Sequence, residues 1–150
     1  MLKLYEVYLS VIKAMDWLPI LVARVFTGWS FFQNGKGKLG NIEVMTERFT
    51  EWGVPLPELN VYVASVTECV GGLMLVVGLG TRIVGVPLAF TMIVALLTAH
   101  RANLGDFSVL VDEAPIGPLC VFLLLIVTGS GKASLDYVIG KLVGVQEEKE

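Results

Sequence analysis

The sequence predicts an all-α integral membrane protein, a four-helix bundle with short interfacial amphipathic helices. Hydrophobic residues make up 55% of its 150 residues and charged residues only 17%, against about 25% charged residues in ordinary soluble proteins. Four long segments are apolar on every side, and within their apolar stretches the only charged residues are Arg24 and Glu68. A chain of this size cannot bury several such helices on all sides, so we expect them to face lipid.

A single membrane domain is expected over residues 1–150. In the first sixteen residues, apolar residues recur at helical spacing on one face and polar or charged residues lie on the opposite face. The segment lacks the pattern of a cleaved signal, so it predicts an interfacial helix. The four membrane spans are predicted at residues 17–34, 59–81, 82–100 and 114–131. Each has about the length that crosses a hydrocarbon core.

Two further amphipathic helices are predicted outside the spans. Residues 41–52 place Ile42, Met45, Phe49 and Trp52 on one helical face, which indicates a helix lying on the membrane surface or over the bundle. Ser134 is a good N-cap for a short C-terminal helix, with Asp136 in its first turn. The tail, residues 144–150, is expected to be solvated.

The composition excludes several function classes. The net charge is −3 and no basic stripe is present, so nucleic acid is not an expected partner. One histidine cannot supply a three-histidine zinc site, and no metal site is predicted. Cys69 and Cys120 lie in different spans and form no C-x-x-C motif, so a dithiol redox centre is not expected either.

Arg24 and Glu68 are the charges that an apolar span least tolerates. Each lies near the middle of its span, and a charge facing lipid costs a few kcal/mol there. The small residues around Glu68 indicate that it faces the bundle interior. Because the first two spans run antiparallel, we predict an Arg24–Glu68 ion pair. The pair could serve helix packing alone, or it could bind a polar ligand or pass a proton.

A second group of polar residues is expected at the membrane face opposite the termini. Asn34, Lys38, His100 and Glu113 all come at span ends that the topology places on that face. They form a candidate ligand or proton site at the mouth of the bundle, although a lone histidine at a helix end also serves as a cap. The residues expected to line the pocket below are Thr27, Gly28, Trp29, Gly71 and Gly72; Trp29 could equally well face lipid.

Taken together, these residues resemble the DoxX family. The motifs that carry the resemblance cover nearly the whole chain, and their order and spacing are more specific than any one of them. They are Arg24 with Gly28, Asn34-Gly35-x-x-Lys38, Trp52-Gly53-Val54-Pro55-Leu56-Pro57, Glu68-x-x-Gly71-Gly72, Gly78-x-x-Thr81-Arg82, His100, Glu113, and the run from Gly129 to Asp136. Asn34 departs from the family pattern, which commonly has histidine there.

The resemblance implies a multi-pass protein of the bacterial or archaeal cytoplasmic (inner) membrane. Lysine and arginine are somewhat more numerous on the side of the termini, which favours cytoplasmic termini. The family takes its name from quinone-linked sulfur oxidation, and some members are linked to membrane oxidoreductase complexes. The resemblance therefore makes a quinone the candidate ligand, which Lys38, His100 and Glu113 would contact or exchange protons with; the sequence leaves open whether a quinone binds.

Two hypotheses about function follow. The first is an accessory or quinone-interacting subunit of a membrane redox system, which receives electrons from another oxidoreductase subunit because no redox centre is visible in the chain. The second is a non-catalytic membrane scaffold, assembly factor or stress-linked accessory protein. The sequence leaves open whether the protein is an enzyme and whether it forms a homo-oligomer. The lipid bilayer is an expected partner under both hypotheses.

Overall fold

A computed structural model of the chain describes residues 17–105 and 107–144, together with residues 4–6, 8, 10, 12 and 15. The predicted N-terminal interfacial helix falls mostly outside these residues, as does the predicted tail beyond Gly144. The described part of the chain is helical and contains no strand. In chain order its α-helices are α1 (Trp17–Leu39), α2 (Ile42–Glu51), α3 (Pro57–Val77), α4 (Thr81–Thr98), α5 (Phe107–Val111), α6 (Ile116–Thr128) and α7 (Leu135–Val143), with a 3-10 turn at Arg101–Asn103.

The four longest of these helices correspond to the predicted spans, with shifted ends. Helices α3 and α4 are long and apolar enough to cross a membrane. Helix α1 continues five residues beyond the predicted end at residue 34, to Leu39. Helix α6 has only 13 residues, about 20 Å at 1.5 Å per residue, and is shorter than predicted. The surface helix α2 and the C-terminal helix α7 occur close to their predicted positions.

Glycine allows α1 and α3 to pack with their backbones in contact. A Cβ atom added to Gly72 would lie 2.5 Å from the backbone nitrogen of Phe32, and one added to Gly35 would lie 2.6 Å from the carbonyl oxygen of Ser65. No larger residue fits at these positions without moving a helix. Small residues at such crossings are typical of helix packing in membranes, where van der Waals contact replaces the hydrophobic effect.

The apolar core lies where the α1–α3 pair meets α4 and α6. Phe31 packs edge-on against Phe122 with ring centroids 4.8 Å apart. The buried core residues are Phe31, Leu75, Val84, Leu88, Ala89, Met92, Phe122 and Leu125. By contrast, the outward faces of the same helices expose large apolar side chains, such as Phe26, Ile83, Phe90 and Val127. Such a surface suits lipid better than water.

Candidate functional site

An ion pair with a buried carboxylate joins α1 to α3 at one end of the bundle. Nζ of Lys38 lies 2.5 Å from Oε1 of Glu68. The Glu68 side chain is only 2% exposed, whereas that of Lys38 is 27% exposed. The second carboxylate oxygen of Glu68, Oε2, is buried and has no hydrogen-bond partner. The carboxylate is therefore held by one oxygen only.

Lys38 reaches Glu68 because α1 does not end at Asn34-Gly35. The buried positions of α1 are Arg24, Thr27, Gly28, Phe31 and Gly35, which recur at intervals of three and four residues. Lys38 comes three residues after Gly35, so it continues the stripe that faces α3.

This ion pair lies in a cleft of about 680 Å³. The cleft is open at this end of the bundle, and most of its walls are apolar. Small-molecule sites are commonly clefts of about 300–1,000 Å³ with apolar walls and a few polar groups. The residues that line it are Phe31, Gln33, Asn34, Gly37, Lys38, Asn41, Val44, Met45, Arg48, Trp52, Glu68, Met92, Ala114, Pro115 and Pro118.

The amphipathic helix α2 and the residue that follows it form one wall of the cleft. Val44, Met45 and Arg48 come from α2, and Trp52 follows directly after its last residue. No residue of α2 is buried, and Trp52, packed against Phe49, is 38% exposed. The helix therefore covers the cleft from outside rather than forming part of the core.

His100 and Glu113 form a second polar pair near the cleft. Nδ1 of His100 contacts Oε2 of Glu113. This contact joins the end of α4 to the residues just before α6, and Ala114 and Pro115, which follow Glu113, line the cleft. The sequence prediction grouped Asn34, Lys38, His100 and Glu113 in one site. The structure brings Asn34 and Lys38 into the cleft and places the His100–Glu113 pair beside one of its walls.

Arg24 lies at the other end of α1 and has different partners. Its Nη1 donates to the carbonyl oxygen of Ser130 at 2.8 Å, and its Nη2 donates to the carbonyl oxygen of Ala133 at 2.7 Å. The Arg24 side chain is 1% exposed and lies directly against Gly78, where a Cβ would collide with Nη1. The segment between α6 and α7 thus folds over the guanidinium.

The predicted Arg24–Glu68 ion pair is therefore corrected by the structure. Arg24 lies beside Gly78, ten residues after Glu68, a distance of about 15 Å along a helix. Both side chains are buried, as expected, but Glu68 pairs with Lys38 and Arg24 with two backbone carbonyls. The predicted pair was wrong because α1 extends to Leu39 and so supplies a second cation, Lys38, close to Glu68.

Asp136 connects α7 to the start of α4 at the same end as Arg24. Its Oδ1 accepts from the backbone N–H of Gly80 at 2.6 Å, and its Oδ2 accepts from that of Thr81 at 3.1 Å. A carboxylate at this position satisfies free N–H groups and interacts favourably with the helix dipole. Ser134 caps α7 by accepting from the N–H of Tyr137, as predicted. We call Arg24, Gly78, Ser130, Ala133 and Asp136 the arginine cluster.

The five residues that the sequence predicted as pocket lining lie elsewhere than the cleft. Gly28 and Gly72 lie at the close crossing of α1 and α3, where a Cβ on Gly28 would lie 2.8 Å from the carbonyl oxygen of Gly72. Gly71 packs against Leu88. Thr27 is buried and Trp29 is 52% exposed. None of the five is among the residues that line the cleft, because the glycine stripe brings backbones together instead of leaving space between them.

Comparison with known proteins supports the identification that the motifs implied. Residues 19–101, more than half of the chain, match the DoxX family. The chain belongs to the DoxX family. This DoxX protein is 41% identical over 78 residues to a protein of Bacillus subtilis (strain 168) named "Putative oxidoreductase CatD", an alignment that covers 52% of this chain and 57% of CatD. The chain thus spans little more than half of the length of that relative.

A second relative covers more of the chain. An uncharacterized protein of Haemophilus influenzae (strain Rd) is 27% identical over 129 residues, which covers 83% of this chain and 85% of that protein. No solved structure matches the chain. The DoxX match includes Arg24, Lys38 and Glu68, and it ends before Glu113 and the segment that binds Arg24. Family membership and the two long apolar helices identify a DoxX membrane protein.

The structure adds functional candidates that the sequence did not single out. Arg48, Trp52, Met92 and Pro118 line the cleft of this DoxX protein. The apolar face of α2 was the available signal for Trp52, because it marked a helix that covers other residues. The carbonyl partners of Arg24 had no such signal, since every residue carries a backbone carbonyl.

Proposed function

We propose that this protein is a quinone-binding accessory subunit of a membrane redox system and that the cleft holds the quinone head group. The observation that carries the proposal is the partly buried Lys38–Glu68 pair within a mostly apolar cleft. A quinone head is a flat apolar ring with oxygen atoms on opposite sides. Such a ligand needs apolar walls and a few polar groups, and both are present. The name of the Bacillus relative supports an oxidoreductase context.

The polar groups of the cleft suit both oxidation states of such a ring. Lysine has three N–H donors and no acceptor, whereas an ionised carboxylate only accepts. Lys38 can thus donate to an oxygen of the ring, and Glu68 can accept a hydroxyl hydrogen from the reduced ring. Phe31 and Trp52 line the same cleft and provide aromatic surface for the ring. Electrons would come from a partner subunit.

The proposal includes a location in the cytoplasmic membrane with four spans and cytoplasmic termini. Helices α3 and α4 are each long enough to cross, and α1, with 23 residues, is about 35 Å long. The short α6 lies against α4 and shares its core. A quinone is lipid-soluble, so a cleft in a lipid-facing bundle is accessible to it from the membrane.

Tryptophan fluorescence in mild detergent tests the proposal. A decyl-tailed benzoquinone should quench the emission of the full chain in a saturable manner, and Trp52→Phe should remove most of that saturable quench. Trp29→Phe is the matched control, because Trp29 is exposed and packs against Phe32 away from the cleft.

Lys38→Met should weaken quinone binding by about tenfold or more, which corresponds to the loss of one charge-assisted hydrogen bond.

Linear, unsaturable quenching that is the same in all variants would contradict quinone binding in the cleft. In that case mass spectrometry of co-purified lipids should also find no quinone. Crosslinking in native membranes then tests the scaffold hypothesis, for which a stable stoichiometric protein partner is the expected result.

A further inference from the structure

The unpartnered oxygen of Glu68 is the most informative polar atom in the cleft. Buried polar atoms are nearly always hydrogen-bonded, and an exception calls for an explanation. Oε2 of Glu68 is buried without a partner although its side chain is 98% buried, while Oε1 is bound to Lys38. The carboxylate thus lacks one donor, and it belongs to a residue that lines the cleft.

The other polar side chains of the cleft do not discriminate between the oxidation states of a quinone. Lys38 and Arg48 are donors, and they can donate equally to a quinone carbonyl or to the oxygen of a hydroquinone hydroxyl. Gln33, Asn34 and Asn41 carry amides that both donate and accept. An ionised Glu68 can only accept, so it gains a partner from a hydroxyl group and none from a carbonyl.

We infer that the cleft selects the reduced ligand, a hydroquinone, whose hydroxyl group donates to Oε2 of Glu68. This inference rests on the proposed function, which it deepens by assigning the oxidation state that binds. Besides donating to the ring, Lys38 positions this carboxylate, because it holds Oε1 while Oε2 has no partner. Glu68 is the specificity-determining contact.

Selective binding has a redox consequence. A site that binds the reduced form more tightly makes the bound couple easier to reduce, and therefore raises its midpoint potential. For a two-electron couple, each tenfold preference corresponds to about 30 mV. We expect a preference of about tenfold for the hydroquinone, the value of one additional hydrogen bond to a charged acceptor.

Calorimetric titration of the full chain in detergent, under anaerobic conditions, tests this selectivity. The probes are a decyl-tailed benzoquinone, its hydroquinone and the dimethyl ether of that hydroquinone. The hydroquinone should bind about tenfold more tightly than the quinone. The ether has the same oxygens without their hydrogens, so it should lose that advantage. This comparison uses the unmutated protein and does not depend on how any variant folds.

Glu68→Gln provides the second arm of the test. Lys38 can only donate, so it holds the amide oxygen of the glutamine and leaves the amide NH₂ in the place of Oε2. The NH₂ group is a donor, which a quinone carbonyl and the oxygen of a hydroquinone hydroxyl can both accept, so the preference for the hydroquinone should disappear. Glu58→Gln is the matched control on the same helix, since Glu58 is exposed in the first turn of α3; it should keep the wild-type ratio.

The outcomes separate the two proposals. Equal affinity for quinone, hydroquinone and ether overturns the selectivity and leaves quinone binding in place. A ratio that Glu68→Gln does not change removes Glu68 as its source and also overturns the inference. If none of the three probes binds, the proposed function fails and the inference fails with it.

Discussion

The two ends of the helical bundle each bury a charged side chain and satisfy it in different ways. At one end, Arg24 donates to two backbone carbonyls, and the α6–α7 segment packs over it. At the other, Glu68 is bound through one oxygen and faces an open cleft. Neither group is completely satisfied, because Nε of Arg24 is also buried without a hydrogen-bond partner. The two ends differ in what covers the charge: a protein segment packs over Arg24, whereas Glu68 lines a cleft that a ligand can enter. We therefore expect the arginine cluster to serve stability and the cleft to serve binding.

The largest effect on stability is expected at Arg24. Arg24→Met should lower the free energy of unfolding by about 3 kcal/mol or more, because two charge-assisted hydrogen bonds are lost together and the carbonyls of Ser130 and Ala133 lose their donor. Unfolding of the purified protein in mixed detergent micelles measures the change. Arg101→Met, at an exposed arginine, is the control. If both substitutions cost the same, the assignment of a structural role to Arg24 is wrong.

A somewhat smaller effect is expected at the crossing of α1 and α3. Gly72→Ala should cost about 1–3 kcal/mol, because the new Cβ would lie 2.5 Å from a backbone atom of Phe32 and would force the helices apart. The matched control is Gly117→Ala in α6, where a Cβ meets nothing within 4 Å; there alanine should stabilise the helix by about 0.5–1 kcal/mol. The same assay compares both variants. If Gly72→Ala is as stable as Gly117→Ala, α1 and α3 have room for a Cβ atom at their crossing.

Within the arginine cluster, Asp136 is expected to contribute less than Arg24 to the free energy of unfolding. Asp136→Asn keeps one acceptor oxygen for the N–H groups of Gly80 and Thr81 and removes the negative charge at the start of α4. The expected loss is about 1 kcal/mol. Asp112→Asn, at an exposed position, should change stability little. A loss at Asp136 as large as that at Arg24 would indicate that Asp136, rather than the carbonyls, is the main partner of the guanidinium.

The smallest effect on stability is expected for the Lys38–Glu68 pair, whose replacement should have the largest effect on quinone binding. Replacing both Lys38 and Glu68 by methionine should change the free energy of unfolding by no more than about 1 kcal/mol, since apolar replacement of a buried ion pair is often neutral. The saturable quinone quench should disappear in the same protein. A double variant that unfolds as readily as Arg24→Met would show that the two ends do not differ in role.

Much of the fold could be predicted from the distribution of charge along the chain. Helices around each apolar segment, the surface helix α2 and burial of Arg24 and Glu68 all follow from hydrophobic segments that tolerate few charges. Helix ends were less predictable. Asn34-Gly35 has the composition of a helix end, yet Gly35 lies within α1, because its missing side chain lets Ser65 and Cys69 of α3 approach. That glycine serves packing rather than termination.

The partners of the two buried charges could be predicted only in part. The sequence predicts Lys38 as a candidate site residue, but the contact of Lys38 with Glu68 depends on where α1 ends, which local sequence does not determine. The partners of Arg24 are backbone carbonyls 106 and 109 residues away. Composition and periodicity describe side chains, so they contain no information about which carbonyls a loop will present.

The arginine cluster also has a consequence for how the protein is made. Arg24 belongs to the first helix of the bundle, while Ser130 and Ala133 lie near the end of the described chain. Synthesis proceeds from the N-terminus, so α1 is complete long before its guanidinium can find these acceptors. Until then Arg24 is a cation without these two hydrogen-bond acceptors in an otherwise apolar helix. The covering of its guanidinium must therefore follow synthesis of the segment that carries Ser130 and Ala133.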